Sequence, residues 1–162
     1  MKDNKGFSLI EVIIAIAIIA IMTVGGIAGF GYLNLANASK CASKIDSGLT
    51  VLKSKNMANA SPAYMHLYCY DGDYYILYDD TKEFIPDATN YEQGEQIGNA
   101  NITISFDDTD ISELDNQCVN IGMRKKDGAF TYTSDPTSKI TVSGQTSYDI
   151  ILVTSTGKHF RE

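Results

Sequence analysis

Among the residues of this chain, Glu11 has the position that most clearly indicates a chemical role. It is the single side chain between Phe7 and Leu33 that is charged at neutral pH, and the next one along the chain is Lys40. A charge at bilayer depth costs at least ~2.5 kcal/mol, so it is normally kept only where it has a partner or a task. The sequence therefore predicts a specific partner for the Glu11 carboxylate in an apolar setting.

Sequence motifs of enzymatic catalysis are missing: there is no G-x-S-x-G, P-loop, G-x-G-x-x-G or H-E-x-x-H. We expect no enzymatic activity and no cofactor. His66 and His159 are far apart and no C-x-x-C pair occurs, so no zinc site is expected. The densest acidic cluster lacks the glycine and the spacing of a regular calcium loop and is interpreted as a solvated turn. Its members are Asp107, Asp108, Asp110, Glu113 and Asp115.

Three cysteines, Cys41, Cys69 and Cys118, fit one disulfide with one thiol left over if the domain is exported. Sequence alone does not determine the connectivity. We expect Cys69 to pair with Cys118, and three buried or free thiols are the alternative.

The element that carries Glu11 is a long uncharged run. Residues 12–33 alone span a hydrocarbon core of about 30 Å at about 1.5 Å per residue. Lys2 and Lys5 precede the run and acidic residues follow it, which predicts an amino terminus inside the cell and a domain outside. An ordinary signal peptide cleaved near residues 36–38 is disfavoured, because the run exceeds the usual apolar region and contains a carboxylate. A plain single-pass anchor leaves Glu11 without a purpose.

Residues 5–12, Lys-Gly-Phe-Ser-Leu-Ile-Glu-Val, resemble the prepilin signature of type IV pilins and pseudopilins. The resemblance implies that a prepilin peptidase cuts between Gly6 and Phe7 and methylates the new terminus at Phe7. It also implies that Glu11 pairs with the terminal amine of a neighbouring subunit. Pairing offsets much of the desolvation cost of both charges, and a pair between subunits would set the axial register of assembly.

Many members of the family have a proline near the middle of the apolar run, whereas this chain has none there and has four glycines in the second half of the run. Each glycine inside a helix costs about 1 kcal/mol relative to alanine, so the helix is a candidate for melting in the packed filament. Close helix packing through a small-xxx-small pattern is the alternative. The glycines are Gly25, Gly26, Gly29 and Gly31.

Past Leu33 the pattern becomes amphipathic, and it predicts a helix that continues to about Ala58. Apolar residues at helical spacing would pack on the following domain. The expected organisation is a cleaved leader (1–6), a transmembrane and filament-core helix (7–33), its amphipathic continuation (34–60) and a β-rich head (61–162). The expected fold is α+β, with the long helix packed on an antiparallel β-sheet. The positions expected to pack are Ala38, Ile45, Leu49 and Leu52.

The head is predicted to contain consecutive antiparallel strands, with a hairpin signal at Asp127-Gly128. Asp110 and Glu113 predict the cap of a short helix around residues 112–117. A tyrosine cluster between Tyr64 and Tyr78 is expected to line strand faces and subunit contacts, with an adhesive surface as the alternative. The predicted strands are 74–78, 83–85, 102–106, 119–123, 129–133, 140–142, 148–154 and a last one that ends at Arg161.

The expected function is that of a structural subunit. The resemblance implies a membrane-bound precursor and then a homo-oligomeric surface filament, built by an assembly platform and cytoplasmic ATPases, for adhesion, motility or DNA uptake. A pseudopilin of a type II secretion or competence system is one alternative, and a membrane-anchored extracellular binding domain is the other. The formal net charge of −7 predicts no direct binding of nucleic acid, because a negative surface repels phosphates.

Overall fold

A computed structural model describes residues 9–58, 61–114, 116–131 and 137–162, and the side chains of residues 21–36 lie outside that description. The chain divides into two compact units, Met1–Leu33 and Asn34–Glu162. The first unit contributes helix and the second contributes the end of that helix together with all described strands. The elements are α1 (Leu9–Ala58), β1 (Tyr64–Tyr70), β2 (Asp73–Asp79), β3 (Glu95–Gly98), β4 (Thr103–Phe106), β5 (Thr109–Asp110), β6 (Cys118–Gly122), β7 (Thr137–Ser143), β8 (Ser147–Val153) and β9 (Lys158–Arg161).

The described strands form two antiparallel sheets rather than the single sheet that the sequence suggested. One sheet has the strand order β3-β2-β1-β6, and the other has the order β5-β4-β7-β8-β9. Within each sheet most neighbours follow one another in the chain, as hairpin-connected antiparallel strands do. The predicted α+β class, with an amino-terminal helix and antiparallel strands after it, is confirmed.

The core of the second unit lies between α1 and one face of each sheet. Ile45, Leu49 and Leu52 of α1 are fully buried in it. The sheets contribute residues at alternate positions, because successive side chains of a strand point to opposite faces. Burying each such aliphatic side chain contributes about 1.5–3 kcal/mol. The main sheet contributors are Met65, Leu67, Ile76, Ile104, Val119, Ile121, Ile140, Val142, Ile150 and Leu152.

The last strand is tied directly to the helix. The Arg161 guanidinium donates hydrogen bonds to the Oγ atoms of Ser39 (3.1 Å) and Ser43 (2.7 Å). It also lies over the ring of Tyr148, 4.3 Å from its centroid, in a cation–π contact. Residues about 120 positions apart in the chain are thus joined at the partly exposed edge of the core.

Six predicted strands agree with β2, β4, β6, β7, β8 and β9, and three predicted segments differ. Residues 83–85 form no strand, because Phe84 instead lies across the first sheet and its N–H donates to Asn120 Oδ1 (3.3 Å). The described part of 129–133 makes only an isolated bridge between Phe130 and Met123. The helix expected over 112–117 is a single 3-10 turn, Ile111–Glu113, capped by the Asp110 carboxylate, which accepts from the Ser112 N–H (2.8 Å).

Two turns meet at a pair of glycines with left-handed backbone. Gly128 has φ +70° and Gly157 has φ +59°, a region that side chains with a Cβ adopt only at a cost. A Cβ at position 157 would overlap the carbonyl oxygen of Gly128. The close approach of these two backbones therefore requires glycine at position 157.

Gly157→Ala should lower the free energy of unfolding by at least ~2 kcal/mol more than Gly72→Ala does. Gly72 is the matched control because its φ is +81° but a Cβ there would lie 3.5 Å from the Ala100 Cβ, an ordinary contact. Urea unfolding of the full chain in mild detergent, followed by near-UV circular dichroism of the tyrosines, measures both losses. Equal losses for the two variants would show that the Gly128 contact contributes nothing.

Candidate assembly site

The first stretch of α1 exposes apolar side chains all the way round. Leu9 is 79% exposed, Ile14 52% and Ile19 61%, and positions five residues apart lie about 140° from one another around a helix of 3.6 residues per turn. A helix that is apolar on every side is stable only when something apolar covers it, such as a membrane or other helices. The described residues of unit Met1–Leu33 leave these side chains exposed. The stretch therefore needs a membrane or other helices around it. The exposed members are Leu9, Ile10, Val12, Ile13, Ile14, Ile16, Ile18 and Ile19.

Glu11 lies in the first turn of α1, among these exposed apolar residues. The amino-terminal end of a helix carries a partial positive charge, so a carboxylate in the first turn is stabilised by about 0.3–1 kcal/mol. The residues predicted to be cut and methylated, Gly6 and Phe7, lie outside the described part of the chain. The pairing predicted for Glu11 with a neighbouring subunit stays a prediction.

The glycine-rich part of the apolar run is helical in the isolated chain, since α1 passes through residues 25–31 without a break. Helix melting was predicted for the packed filament, so it also stays a prediction. The alternative, close packing at Gly25 and Gly29, concerns residues whose side-chain surroundings lie outside the description. Of the helices in the described residues, none combines the length and hydropathy needed to cross a bilayer.

The predicted Cys69–Cys118 disulfide is not present in the structure, where Cys41, Cys69 and Cys118 are all free and buried. The reason is the alternation of side chains along paired strands. Tyr68, not Cys69, is the residue opposite Cys118 in the register of β1 and β6, so the two cysteines point to opposite faces of the sheet. Cys69 belongs to the main core and Cys118 to a separate aromatic cluster on the other face.

Burial makes the three thiols poor nucleophiles. Desolvation raises the pKa of Cys41 and of Cys118 to about 12, and it also raises the pKa of Cys69. The thiolate is the reactive form of cysteine, so these side chains stay protonated and inert at neutral pH.

A buried polar node on the outer face of the first sheet was not singled out from the sequence. His66 is fully buried, with Nε2 2.8 Å from Asp79 Oδ1 and Nδ1 2.5 Å from Asn120 Oδ1. The Phe84 N–H donates to the same Asn120 oxygen (3.3 Å), and the Phe84 ring lies 5.4 Å from the imidazole. Three strands and the segment after β2 are thus held together by one side chain.

The Asp79 carboxylate is the charged end of this node. Burial by itself raises the pKa of Asp79, but hydrogen bonds from His66 and from the Thr81 hydroxyl and N–H outweigh it. The net result is a pKa below the usual range. The sequence signal for the node is weak, because His66 stands among tyrosines that all suit a strand.

The tyrosine cluster mainly lines strand faces. Tyr68 and Tyr75 stack with ring centroids 5.3 Å apart, and Tyr70 stacks on Tyr91 at 4.4 Å. Burial raises the pKa of Tyr68 and Tyr74 to about 12, as expected for phenols that have lost contact with water. Tyr68, Tyr70, Tyr75 and Tyr91 belong to a second, smaller cluster on the face opposite the main core, whereas Tyr74 lies in the main core.

The acidic cluster is partly neutralised by Lys139. Its Nζ lies 3.2 Å from Asp108 Oδ1, and its backbone N–H donates to Asp107 Oδ1 (2.7 Å). Asp110 is used as a cap, and Asp115 lies outside the described residues. In the part of the chain that the structure describes, no group of three or more His, Cys, Asp or Glu could hold a metal ion.

The amino-terminal residues carry the match to a known family model. Residues 1–27 match the family model of the prokaryotic N-terminal methylation motif. The chain carries the class III signal peptide of type IV pilins. The methylation motif covers Gly6, Phe7 and Glu11, and it confirms the resemblance that residues 5–12 suggested. No curated protein and no solved structure matches the chain.

The methylation motif supports a type IV pilin-like or pseudopilin precursor. It implies processing by a prepilin peptidase and assembly into a pilus or a pseudopilus. It also implies a precursor anchored in the membrane and then an extracellular filament. The methylation motif, residues 1–27, thus includes the exposed apolar stretch of α1.

The three thiols should resist iodoacetamide at neutral pH in the native full chain, because burial keeps them protonated and shielded. In denaturant without reductant, all three should be alkylated, and intact mass counts the added groups. One added group in place of three would show that a disulfide forms after all.

Asp79→Ala should lower the free energy of unfolding by about 2 kcal/mol at neutral pH, since it leaves the buried His66 Nε2 without its acceptor. Asp80→Ala is the matched control, because this neighbouring carboxylate is exposed. The folded pKa of Asp79 is depressed, so its contribution is complete above the unfolded value of about 3.9 and is lost as the pH falls through the lower folded value. The test is to measure the free energy of unfolding of wild type and Asp79→Ala at pH 7 and at pH 2. If the difference in free energy between the two proteins is the same at both pH values, the prediction is contradicted.

Proposed function

We propose that the chain is a structural subunit of a type IV pilus. It is inserted in the membrane as a precursor, cut after Gly6, methylated at Phe7 and polymerised through α1. The observation that supports this most directly is the methylation motif at residues 1–27, followed by a helix that exposes apolar side chains on every side. A membrane covers such a helix before assembly, and neighbouring helices cover it in a filament.

The two halves of α1 have different tasks in this proposal. The apolar half, residues 7–33, spans the membrane and then forms the filament core. The amphipathic half, residues 34–60, holds the head (61–162), and its Ile45 and Leu49 are already buried against the strands. The leader, residues 1–6, is removed. The division explains why one helix can leave the bilayer while its other end stays attached to a folded domain.

Glu11 determines how the helices pair. Lipid tails are as apolar as leucine, so transfer of an apolar helix from lipid to a helix bundle gains no hydrophobic energy by itself. A charged pair between Glu11 and the methylated amine of Phe7 in a neighbouring subunit is lost in any wrong register, where both charges stay buried without a partner. The pair therefore selects the register, and cytoplasmic ATPases acting through an assembly platform supply the work of extraction.

The proposed role needs no catalysis and no cofactor, and the filament does its work through its surface. Adhesion, motility and DNA uptake are the tasks in which such a polymer would serve. Direct binding of nucleic acid by the subunit is disfavoured by its formal charge of −7. A pseudopilin would share the methylation motif and form a short piston instead of a long surface fibre.

The experiment is intact mass analysis of protein sheared from the surface of producing cells and collected in a high-molecular-weight pellet. We expect a chain that begins at a methylated Phe7. A processed chain confined to the cell envelope would favour the pseudopilin. A full-length chain left in the membrane would favour an anchored binding domain and contradict the pilus proposal.

Glu11→Ala should leave cleavage and methylation largely intact but reduce the pelleted filaments at least about tenfold, because the register-selecting ion pair is lost. Glu113→Ala is the control, as it removes one exposed carboxylate from the head and gives the same change in charge. Comparison of processed chain in the membrane with chain in the pellet separates assembly from processing. Normal filament yield from the Glu11 variant would contradict the proposed pairing.

A further inference from the structure

Outside α1, two of the described large apolar side chains are exposed, and they lie on different sides of the head. They are Ile85, 59% exposed, and Phe160, 46% exposed. The segment that carries Ile85 packs on the outer face of the first sheet through Phe84. Phe160 lies on the outer face of the second sheet, because its neighbours His159 and Arg161 reach inward to α1. The inner faces of both sheets belong to one core, so the two exposed side chains are separated by it.

The first feature is the Ile85 projection, which consists of Glu83 and Ile85. Both side chains are exposed while Phe84 between them is buried, so they point outward from the same side of the segment. The Asn90 side chain holds the segment in place, because its Nδ2 donates to the Ile85 carbonyl (3.0 Å) and its Oδ1 accepts from the Asp87 N–H (2.8 Å). A projection that is already ordered loses little conformational entropy when a partner binds.

The second feature is the β9 patch, which has an apolar centre and a cation at one side. In the register of β8 and β9, Phe160 is directly opposite Ile151. Lys158 is opposite Val153 and lies two residues before Phe160, so all four side chains share the outer face of the sheet. Ile151 and Val153 are partly exposed. The β9 patch is therefore Lys158 together with an apolar centre of Phe160, Ile151 and Val153.

The Ile85 projection and the β9 patch match each other in spacing and in charge. In the projection, an exposed carboxylate, Glu83, comes two residues before the exposed Ile85. In the patch, an exposed cation, Lys158, comes two residues before the exposed Phe160. Neither Glu83 nor Lys158 forms a salt bridge with the residues that the structure describes. Ile85 placed on the apolar centre would thus bring the Glu83 carboxylate beside the Lys158 ammonium group.

We propose that the Ile85 projection of one copy docks on the β9 patch of a second copy in the filament. The inference rests on the proposed function, which brings the heads of successive subunits into contact. A contact between two different surfaces of the same chain is heterologous, and it generates an open helical array when the rotation does not close a ring. Docking of the projection on the patch therefore suits a filament, whereas the patch paired with its own copy would give a two-fold dimer.

The apolar and charged parts of this contact have different effects. Removal of Ile85 and Phe160 from water supplies attraction, because burial of apolar surface is favourable. An exposed ion pair contributes little attraction alone, but the opposite charges of Glu83 and Lys158 favour one orientation of the two heads over the reverse. The same contact repeats at every subunit, so a small preference acts along the whole filament.

The direct test is disulfide cross-linking of sheared filaments from the variant I85C/F160C, with I85C and F160C alone as matched controls. Intact mass first establishes that each chain is processed. The three native cysteines are buried and should not compete for oxidation. After mild oxidation of I85C/F160C we expect a ladder of dimers, trimers and larger species in denaturing gels without reductant, because each head carries both halves of the contact. Each single variant should give monomers.

Charge reversal tests the orientation of the two heads. E83K and K158E should each lower the yield of sheared filament about threefold relative to E113K and K126E, which make the same charge changes at other exposed residues. The double variant E83K/K158E should restore the yield, because the ion pair forms again with its signs exchanged. This result decides the inference if I85C/F160C itself gives too few filaments to oxidise.

Several outcomes would overturn the docking of the projection on the patch. Wild-type filament yield from I85C/F160C without a ladder would do so and leave the proposed function standing. Cross-linked dimers from F160C alone would do so as well, since they would show that the β9 patch pairs with its own copy. A double variant E83K/K158E that assembles no better than the single variants would contradict the proposed ion pair and with it the orientation. Absence of processed wild-type filaments would contradict both this inference and the proposed function.

Discussion

An apolar surface that runs all the way round a helix must be covered on every side, and the other features of this chain follow from that requirement. The stretch that contains Leu9, Ile16 and Ile19 is not covered by the described residues of its own unit. A membrane and a bundle of like helices are two coverings of nearly equal apolarity, so exchange between them costs little. One carboxylate, Glu11, then makes the second covering specific, because apolar side chains alone do not distinguish one register from another.

The head must stay folded while it is attached to this apolar helix. Its core is closed by α1 from one side and by two sheets from the other, so the amphipathic end of the helix is an integral part of the fold. Buried polar contacts then fix details that apolar packing leaves open. His66 holds β1, β2 and β6 together through Asp79 and Asn120, and Arg161 fixes the last strand on the helix.

The sequence predicted the methylation motif, the fold class and most strands, because each depends on a local pattern. Residues 5–12 identify the motif by residue type and spacing, and alternation identifies strands such as β6 and β8. The failures depend on contacts between distant residues. Phe84 looks like a strand residue but covers a sheet, and the cysteine pairing failed because the register of β1 and β6 places Cys69 and Cys118 on opposite faces. The His66 node likewise needs three strands to be in place before it exists.

The tie between Arg161 and Ser39 has a consequence for the order in which the head matures. Its partners are 122 residues apart, and the β9 strand that carries Arg161 lies near the end of the chain. Contacts between such distant residues slow folding, because a long loop must close before they form. Because α1 is synthesised before the strands, its contact with Arg161 forms only after β9 has been synthesised.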